Sequence, residues 1–230
     1  MREWPSAEAE NHPALRRCLG EWLDNRHLPP LHFLVEPETL ARLDDRRVFV
    51  ATLGEREVVG FTILSPVSAR NGWLVEQIVR GIGAPNGTAE LLIDTAMRAV
   101  GATGATYATL GLSPLSERAK IPRIPQPMWL DLLLRWVRVH GRRFYNFDGL
   151  DAFKAKFNPA IWEPIYAIAD SDHFPPRALY AIAGAFSGGN PIALIAKALL
   201  RAGKQELSNS RRRLTARSGG ASPPHDRRRS

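Results

Sequence analysis

The sequence has little of the chemistry that builds a disulfide framework or a metal centre. It contains one cysteine, Cys18, among 230 residues. A single thiol excludes an internal disulfide and a thiolate metal cluster, and it is typical of a reducing compartment. The six histidines show no metal-ligand spacing. We therefore expect a cytoplasmic protein that holds no metal.

Hydrolase and nucleotide-hydrolysing motifs are also missing. The sequence has no Walker loop, and Gly111-Leu112-Ser113-Pro114-Leu115 lacks the second glycine of a nucleophile elbow. The first ten residues, MREWPSAEAE, are polar and acidic, so we expect no secretory signal there. Neither a hydrolase nor an exported protein is indicated.

Positive charge is concentrated at the C-terminal end. The net charge is +8, and residues 204–230 hold eight basic and two acidic side chains, so they carry +6 of it. Residues 1–203 therefore carry only +2. A basic tail of this kind binds phosphates of RNA or of anionic lipid, or it is a solvated disordered end. We expect disorder and leave its partner open.

The composition predicts a folded α/β domain with additions at its C-terminal side. Hydrophobic residues make up 44% and charged residues 23% of the chain, as in ordinary globular proteins. We predict a helical N-terminal part over 1–45, a core over 46–170, an apolar helical extension over 171–203 and the basic tail over 204–230.

Hydrophobic periodicity predicts the elements of the first half. Residues 1–12 are expected to be a loose terminus. We then expect a helix over 13–28, a strand over 31–36 and a short helical turn over 38–43. A hairpin over 46–67, a third strand over 72–80 and a second helix over 88–100 are expected to follow.

The sequence pattern in the second half of the chain is less regular. A strand at 106–116 runs into a proline-rich stretch. A helix over 128–141 follows, and its aromatic and leucine side chains are expected to point inward: Trp129, Leu132, Leu133 and Trp136. A short helix and a last strand come next. The nearly uncharged segment 178–200 is interrupted by Gly188-Gly189-Asn190-Pro191, which favours two short apolar helices.

A glycine-containing loop separates the third strand from the following helix. It reads Arg80-Gly81-Ile82-Gly83-Ala84-Pro85. Backbone N–H groups at such a junction, together with the helix dipole, can hold a phosphate or an oxyanion. The loop resembles the Arg/Gln-x-x-Gly-x-Gly/Ala loop with which GNAT-superfamily acetyltransferases hold coenzyme A, but Pro85 stands at its last position.

Three blocks in order carry a larger resemblance. They are GWLVEQIVRGIGAPNGTAELLI, LGLSPLS and RRFYNFDGLDAFKAKFNPAIWEPIYAI. Over roughly 46–170 the chain resembles the C-terminal domain of the phosphatidylglycerol lysyltransferases, which are GNAT-like acyltransferases that depend on aminoacyl-tRNA. The resemblance implies a GNAT-like α/β fold with a central mixed, mostly antiparallel sheet flanked by helices.

The implied reaction moves an aminoacyl group from charged tRNA to a hydroxyl of phosphatidylglycerol or a similar acceptor. Because the ester is already activated, no cofactor, ATP or metal is expected. The enzyme must orient both substrates, take a proton and stabilise an oxyanion. An N-acyltransferase that uses acyl-coenzyme A and a non-catalytic homologue remain alternatives.

The resemblance assigns roles to the third strand and its loop. The family acid falls on Glu76, as a base or as the partner of the aminoacyl ammonium group. Of two family arginines only Arg80 is kept, because Val79 replaces the other. Arg80 is expected to bind phosphate, and Asn86 and Gly87 are further substrate-binding candidates that otherwise cap the helix and shape the turn.

Further candidates lie in the last matched block. Tyr145 is a candidate for stacking on the terminal adenosine of tRNA. Lys154 is assigned to catalysis and Lys156 to substrate binding, and together they are expected to contact phosphate, although they flank an apolar helix stripe on opposite edges. Trp162 and Glu163 match a corner that we interpret as structural.

The expected partners are aminoacyl-tRNA and an anionic membrane surface. The lipid lysyltransferases carry a multi-helix membrane domain that these 230 residues do not include. Segment 178–230, with its apolar stretch and arginine tail, is therefore expected to supply any peripheral contact with the inner membrane.

Overall fold

The computed structural model describes residues 1–25, 39–54, 57–114, 116–119, 127–140, 146–171 and 174–187. The chain divides into two compact units, Met1–Gly188 and Gly189–Ser230. All described residues belong to the first unit.

A five-stranded sheet organises the first unit. Its order follows the sequence, β1-β2-β3-β4-β5. The first four strands are antiparallel to their neighbours, and β5 is parallel to β4. The strands are β1 (Arg2–Trp4), β2 (Arg47–Leu53), β3 (Glu57–Val67), β4 (Gly72–Arg80) and β5 (Tyr107–Thr109). This mixed, mostly antiparallel sheet flanked by helices confirms the expected GNAT-like fold class.

Six α-helices accompany the sheet in the described residues. They are α1 (Ser6–Ala9), α2 (Pro13–Asp24), α3 (Thr88–Ala102), α4 (Met128–His140), α5 (Phe147–Ala155) and α6 (Pro176–Ser187). Helix α2 begins with Pro13 after His12, whose Nδ1 accepts from the Ala14 N–H at 3.2 Å. Helix α3 follows Gly87, which has a φ of 85° that favours glycine.

Two hydrophobic clusters cover opposite faces of the sheet. On one face, α2 packs Leu15 and Leu19 against Phe61 and Ile63 of β3. On the other, α3 packs Leu92 and Ile93 against alternate strand residues, and Phe153 of α5 and Phe157 just after it lie at the margin. Strand β3 lies between both layers, which explains its continuous buried run from Val58 to Leu64.

The prediction for the hairpin, the third strand and the following helix is confirmed. The short turn also forms, as a 3₁₀ helix over Thr39–Ala41. The predicted strand at 31–36 lies outside the described residues, as do the second apolar helix and the basic tail.

The expectation of a loose N-terminus was wrong. Strand β1 pairs with β2 in the register Arg2↔Val50 and Trp4↔Val48. Trp4 is buried and its ring meets His12 edge-on at 4.9 Å between centroids. The hydrophobic period over so short a stretch is too weak to reveal an edge strand.

Two predictions for the second half were also wrong. Residues 161–169 form no strand, although this segment was predicted as the last one. Helix α4 forms where it was predicted, but Trp129, Leu132 and Trp136 are exposed, and only Leu133 of the predicted inward set is half-buried. The apolar face of α4 therefore faces solvent.

Candidate functional site

The candidate site lies along β4, beyond the end of its pairing with β5. The two strands pair only at the beginning of β4, in the register Gly72↔Tyr107 to Leu74↔Thr109, because β5 ends there. Beyond Leu74, the outer edge of β4 is paired with no described strand, while its inner edge continues along β3 as far as Gly60↔Arg80. Backbone N–H and C=O groups on an unpaired strand edge need other hydrogen-bond partners, which a substrate can supply.

Glu76 stands at a β-bulge in this open part of β4. The register passes from Ile63↔Gln77 to Leu64↔Val75, so Glu76 is the extra residue on β4. A bulge turns a side chain away from the regular alternation of a strand, and bulges are common beside active sites. The bulge therefore gives the Glu76 carboxylate a direction that a regular strand would not.

Two neighbours hold the Glu76 carboxylate in place. The Ser65 hydroxyl donates to Glu76 Oε2 at 2.5 Å, and Arg46 Nη1 lies 3.6 Å from the same oxygen. The Glu76 side chain keeps 33% of its surface exposed. It is thus oriented on one side and accessible on the other, as a base or an ammonium partner requires.

Arg80 and Asn86 lie together beside the start of α3. Arg80 Nη2 approaches Asn86 Oδ1 at 3.5 Å, and both residues are exposed. Gly87 is the N-cap residue and supplies no side-chain cap, while the Thr88 hydroxyl donates back to the Pro85 carbonyl at 2.7 Å. The arrangement brings a guanidinium and an amide to a helix N-terminus, where anions bind favourably.

The first turn of α3 also carries a carboxylate. Lys156 Nζ donates to Glu90 Oε1 at 2.9 Å. The pKa of Glu90 is lowered, first by this hydrogen bond and next by a hydrogen bond from its own backbone N–H. The negative charge of Glu90 therefore offsets part of the positive potential at the N-terminus of α3. The hydrogen bond from Lys156, which directly follows α5, also connects α5 to α3.

Lys154 has a different environment from Lys156. Its side chain is buried at 7% exposure, and Nζ donates to the carbonyls of Gly111 and Leu112 at 2.9 and 2.7 Å. Burial lowers the pKa of Lys154 to about 8, and the charge of nearby Asp151 opposes that shift. The structure does not bring the two lysines onto a shared phosphate position, because each ammonium group already has separate partners.

Asp151 was missed by the sequence analysis. Its carboxylate accepts from Ser116 Oγ and Arg118 Nε, each at 2.6 Å. Burial opposes its ionisation, but the hydrogen bonds from Ser116 and Arg118 outweigh burial and lower its pKa. Asp151 and Lys154, three residues apart on α5, together fix the loop that follows β5. Their spacing of three residues was the sequence signal that could have indicated neighbouring side chains on one face of a helix.

A cavity opens on the α2 side of the loop between β4 and α3. Its volume is about 490 Å³, and it is lined from α2 by Arg17 and Glu21, from β3 by Glu57, and from the loop by Gly81 and Gly83. Buried Cys18 lies under Gly81, and burial raises the pKa of its thiol to about 11. The cavity thus adjoins the end of β4, and the thiol beneath it is not a nucleophile.

The corner at Trp162 and Glu163 contacts the end of the sheet opposite the candidate site. Arg70 Nη1 donates to Glu163 at 2.6 Å, and the Tyr107 hydroxyl lies 3.3 Å from the same carboxylate. The Arg118 guanidinium lies over the Trp162 ring at 5.5 Å. These contacts support the structural interpretation of the corner. Tyr145 lies outside the described residues, so its stacking role stays a prediction.

The described part of the chain offers neither a metal-binding cluster nor a membrane-spanning helix. It contains no group of three or more histidine, cysteine, aspartate or glutamate residues placed to hold a metal ion. Its helices include none with the length and apolar character needed to cross a membrane.

Comparison with protein families gives a match over most of the chain. The model for "Phosphatidylglycerol lysyltransferase, C-terminal" matches residues 1–169. The chain belongs to this family. The match begins at residue 1, whereas the sequence resemblance began near 46, which agrees with the part that β1 and α2 play in the sheet and its cover.

Solved structures with similar folds include two from the same family. The C-terminal domain of a lysylphosphatidylglycerol synthetase of Agrobacterium fabrum is 24% identical, with a TM-score of 0.48, over 69% of this chain and 46% of that chain. L-PGS from Bacillus licheniformis is 22% identical, with a TM-score of 0.44, over 64% and 41%. This chain spans less than half of each. No curated protein matches the sequence.

An acetyltransferase is also among the similar structures. Ribosomal-protein-alanine N-acetyltransferase from Brucella melitensis is 16% identical, with a TM-score of 0.41, over 73% of this chain and 97% of that chain.

Proposed function

We propose that this chain is an aminoacyltransferase that moves an aminoacyl group from aminoacyl-tRNA to phosphatidylglycerol or a similar hydroxyl acceptor. The observation that carries the proposal is the position of Glu76. Its carboxylate stands on the bulge of β4, is oriented by Ser65 and Arg46, and keeps part of its surface accessible, in a member of this family. The proposal assigns the reacting groups to this part of β4.

The proposed step is an ester exchange. The acceptor hydroxyl attacks the carbonyl carbon of the aminoacyl ester, and Glu76 takes the hydroxyl proton. Backbone N–H groups on the open edge of β4 stabilise the oxyanion of the tetrahedral intermediate. The bond to the 3′-terminal ribose oxygen then breaks, and that oxygen receives the proton from Glu76. No other reactant is consumed.

The surrounding residues have supporting roles in this proposal. Arg80 and Asn86, at the N-terminus of α3, contact a phosphate near the 3′ end of tRNA. Lys156, exposed on α5, is a second phosphate contact once Glu90 is displaced. Lys154 is assigned a positioning role, because its ammonium group holds the Gly111 and Leu112 carbonyls of the loop that follows β5.

The alternative donor is acyl-coenzyme A. It is favoured by the loop from Arg80 to Gly83, which precedes α3 as coenzyme A-binding loops do. Pro85 stands against coenzyme A, because it replaces the small residue at the last loop position.

A transfer assay tests the proposal. The full chain is mixed with radiolabelled aminoacyl-tRNAs and phosphatidylglycerol in detergent micelles, and label in the extracted lipid is counted. We expect labelled lipid with the wild type and a loss of about 10²–10⁴-fold with Glu76→Gln. Ser65→Ala should cause a smaller loss, because the carboxylate is kept but less well oriented.

Glu3→Gln is the matched control. Glu3 is also a strand carboxylate paired with an arginine, since Arg47 Nε lies 2.7 Å from it, but it lies on the far edge strand β1. It should leave transfer unchanged. Equal activity of the wild type and Glu76→Gln would overturn the assigned role, and product formed only from acyl-coenzyme A and an amine would establish the alternative.

A further inference from the structure

Two Asn-Gly dipeptides of the chain lie in different structural settings. Asn71-Gly72 joins a 3₁₀ turn to the beginning of β4, and Asn86-Gly87 lies immediately before α3. Both asparagines are exposed. Asparagine is a thermolabile residue, and a following glycine has no Cβ to keep its own nitrogen away from the asparagine side chain. Because the local chemistry of the two dipeptides is the same, a difference in their reactivity has to come from the fold.

The sheet holds the first dipeptide in place. Gly72 pairs with Val67 of β3 on one side and with Tyr107 of β5 on the other. A Cβ built on Gly72 would overlap the Tyr107 carbonyl, so the backbone is tightly packed there. The Asn71 side chain also donates to the Gly104 carbonyl at 3.1 Å. A reaction that joins the Gly72 nitrogen to the Asn71 side chain would first have to break these contacts.

The second dipeptide has more freedom. Gly87 has a φ of 85°, and a Cβ built on it would meet nothing within 4 Å. Its N–H donates to no acceptor among the described residues. Arg80 Nη2 lies 3.5 Å from Asn86 Oδ1. A guanidinium in this position stabilises the negative charge that develops on the amide oxygen when its carbonyl carbon is attacked.

We propose that Asn86 is a site of spontaneous deamidation in the folded protein. The Gly87 nitrogen attacks the side-chain carbonyl carbon of Asn86 and forms a cyclic imide. The bond from this carbon to the amide nitrogen breaks, and ammonia leaves with the proton of the Gly87 N–H. Water then opens the imide. Opening at the side-chain carbonyl gives aspartate, and opening at the backbone carbonyl gives isoaspartate.

The reaction replaces a neutral amide with a carboxylate at the beginning of α3. This carboxylate lies beside Arg80, so it competes with a phosphate for the guanidinium and for the partial positive charge of the helix N-terminus. The consequence for binding rests on the proposed function, which places a tRNA phosphate at Arg80 and Asn86. The deamidation itself does not depend on that function.

Peptide mapping by mass spectrometry compares the two asparagines in one sample. Trypsin cleaves after Arg70, Arg80 and Arg98, so peptides 71–80 and 81–98 each contain a single asparagine. The full chain is incubated at neutral pH, and a sample digested at time zero corrects for reaction during digestion. We expect Asn86 to deamidate at least about tenfold faster than Asn71, because Asn71 reacts only after local opening of the sheet. In urea, where the fold is lost, the two rates should become similar.

Asn86→Gln is the matched control for the modification. Glutamine keeps the amide, but it would have to close a larger ring, which forms more slowly. The variant should show no mass gain in peptide 81–98, while peptide 71–80 behaves as in the wild type. Equal rates at Asn71 and Asn86 in the folded chain would overturn the proposal, as would a ratio of the two rates that urea leaves unchanged.

Binding of aminoacyl-tRNA tests the consequence separately. Asn86→Asp has the charge of the product, and at low salt it should bind aminoacyl-tRNA about two- to fivefold more weakly than Asn86→Gln does. Equal binding by these two variants would remove Asn86 from the phosphate site of the proposed function. The mass measurement decides on the deamidation whatever the result with tRNA, so the two failures are distinguishable.

Discussion

The buried ammonium group of Lys154 makes the stability of the domain depend on pH in an unusual direction. Lys154→Met keeps the apolar stem and removes the titrating group. In the folded chain burial lowers the pKa of Lys154 from its ordinary value of 10.5 to about 8. Between these two values the unfolded chain binds more protons at this position, so the free energy of unfolding rises with pH.

The size of the effect follows from the two pKa values. A separation of about 2.5 pKa units at about 1.4 kcal/mol each corresponds to about 3 kcal/mol. The destabilisation of the folded chain by the buried charge of Lys154 is fully present below pH 8, and it decreases as the pH rises toward 10.5. Most of the change falls between pH 7 and pH 10. The methionine variant has no such dependence, but it loses the hydrogen bonds to Gly111 and Leu112.

Urea denaturation of both proteins at pH 7, 8, 9 and 10 measures the difference. The stability of the wild type relative to Lys154→Met should increase by about 2–3 kcal/mol over this range. All other ionisable groups are common to both proteins, so their contributions cancel. A difference that stays constant with pH, or one that falls, would show that Lys154 is not held as a buried amine and would refute the reasoning.

Two other substitutions test the packing and the charge of the site. Gly72→Ala should destabilise the domain by about 1–3 kcal/mol, because a Cβ there overlaps the Tyr107 carbonyl at the β4–β5 pairing; Gly83→Ala, where a Cβ meets nothing within 4 Å, should change the melting temperature little, and equal shifts would contradict the predicted packing. Lys156→Ala should alter stability by less than about 1 kcal/mol, since its ion pair with Glu90 is exposed. It should also reduce the salt dependence of tRNA binding by about one phosphate contact, and an unchanged slope would remove Lys156 from the phosphate-binding set.

The sequence was sufficient to predict the regular part of the fold. The hairpin, β4 and α3 have strong hydrophobic periods and clear turns, so local pattern and tertiary structure agree. Strand β1 could not be predicted from three residues, since its pairing with β2 depends on contacts distant in sequence. The inward prediction for α4 failed because an amphipathic period shows that a helix has an apolar face, not where that face points.

Sequence resemblance predicted which residues belong to the site better than it predicted how they are arranged. Sequence resemblance selected Glu76, but the bulge and the contacts with Ser65 and Arg46 arise from the register between strands. The helical period alone predicts that Lys154 and Lys156 lie on opposite edges of the apolar stripe. The partners of each ammonium group, by contrast, depend on the loop after β5 and on α3, which no local pattern reveals.

The half-paired state of β4 should be visible in amide hydrogen exchange. Along one strand, the N–H groups that point to β3 are held in a ladder, while those past Leu74 on the outer side have no described strand as acceptor. Exchange with deuterium should therefore alternate between slow and fast from one residue to the next past the bulge, over the regularly paired stretch from Gln77 to Arg80. Any substrate that adds its own backbone or ester group along this edge would slow the fast set alone. The slowly exchanging N–H groups of β4 thus serve as an internal reference for detecting a substrate bound along its outer edge.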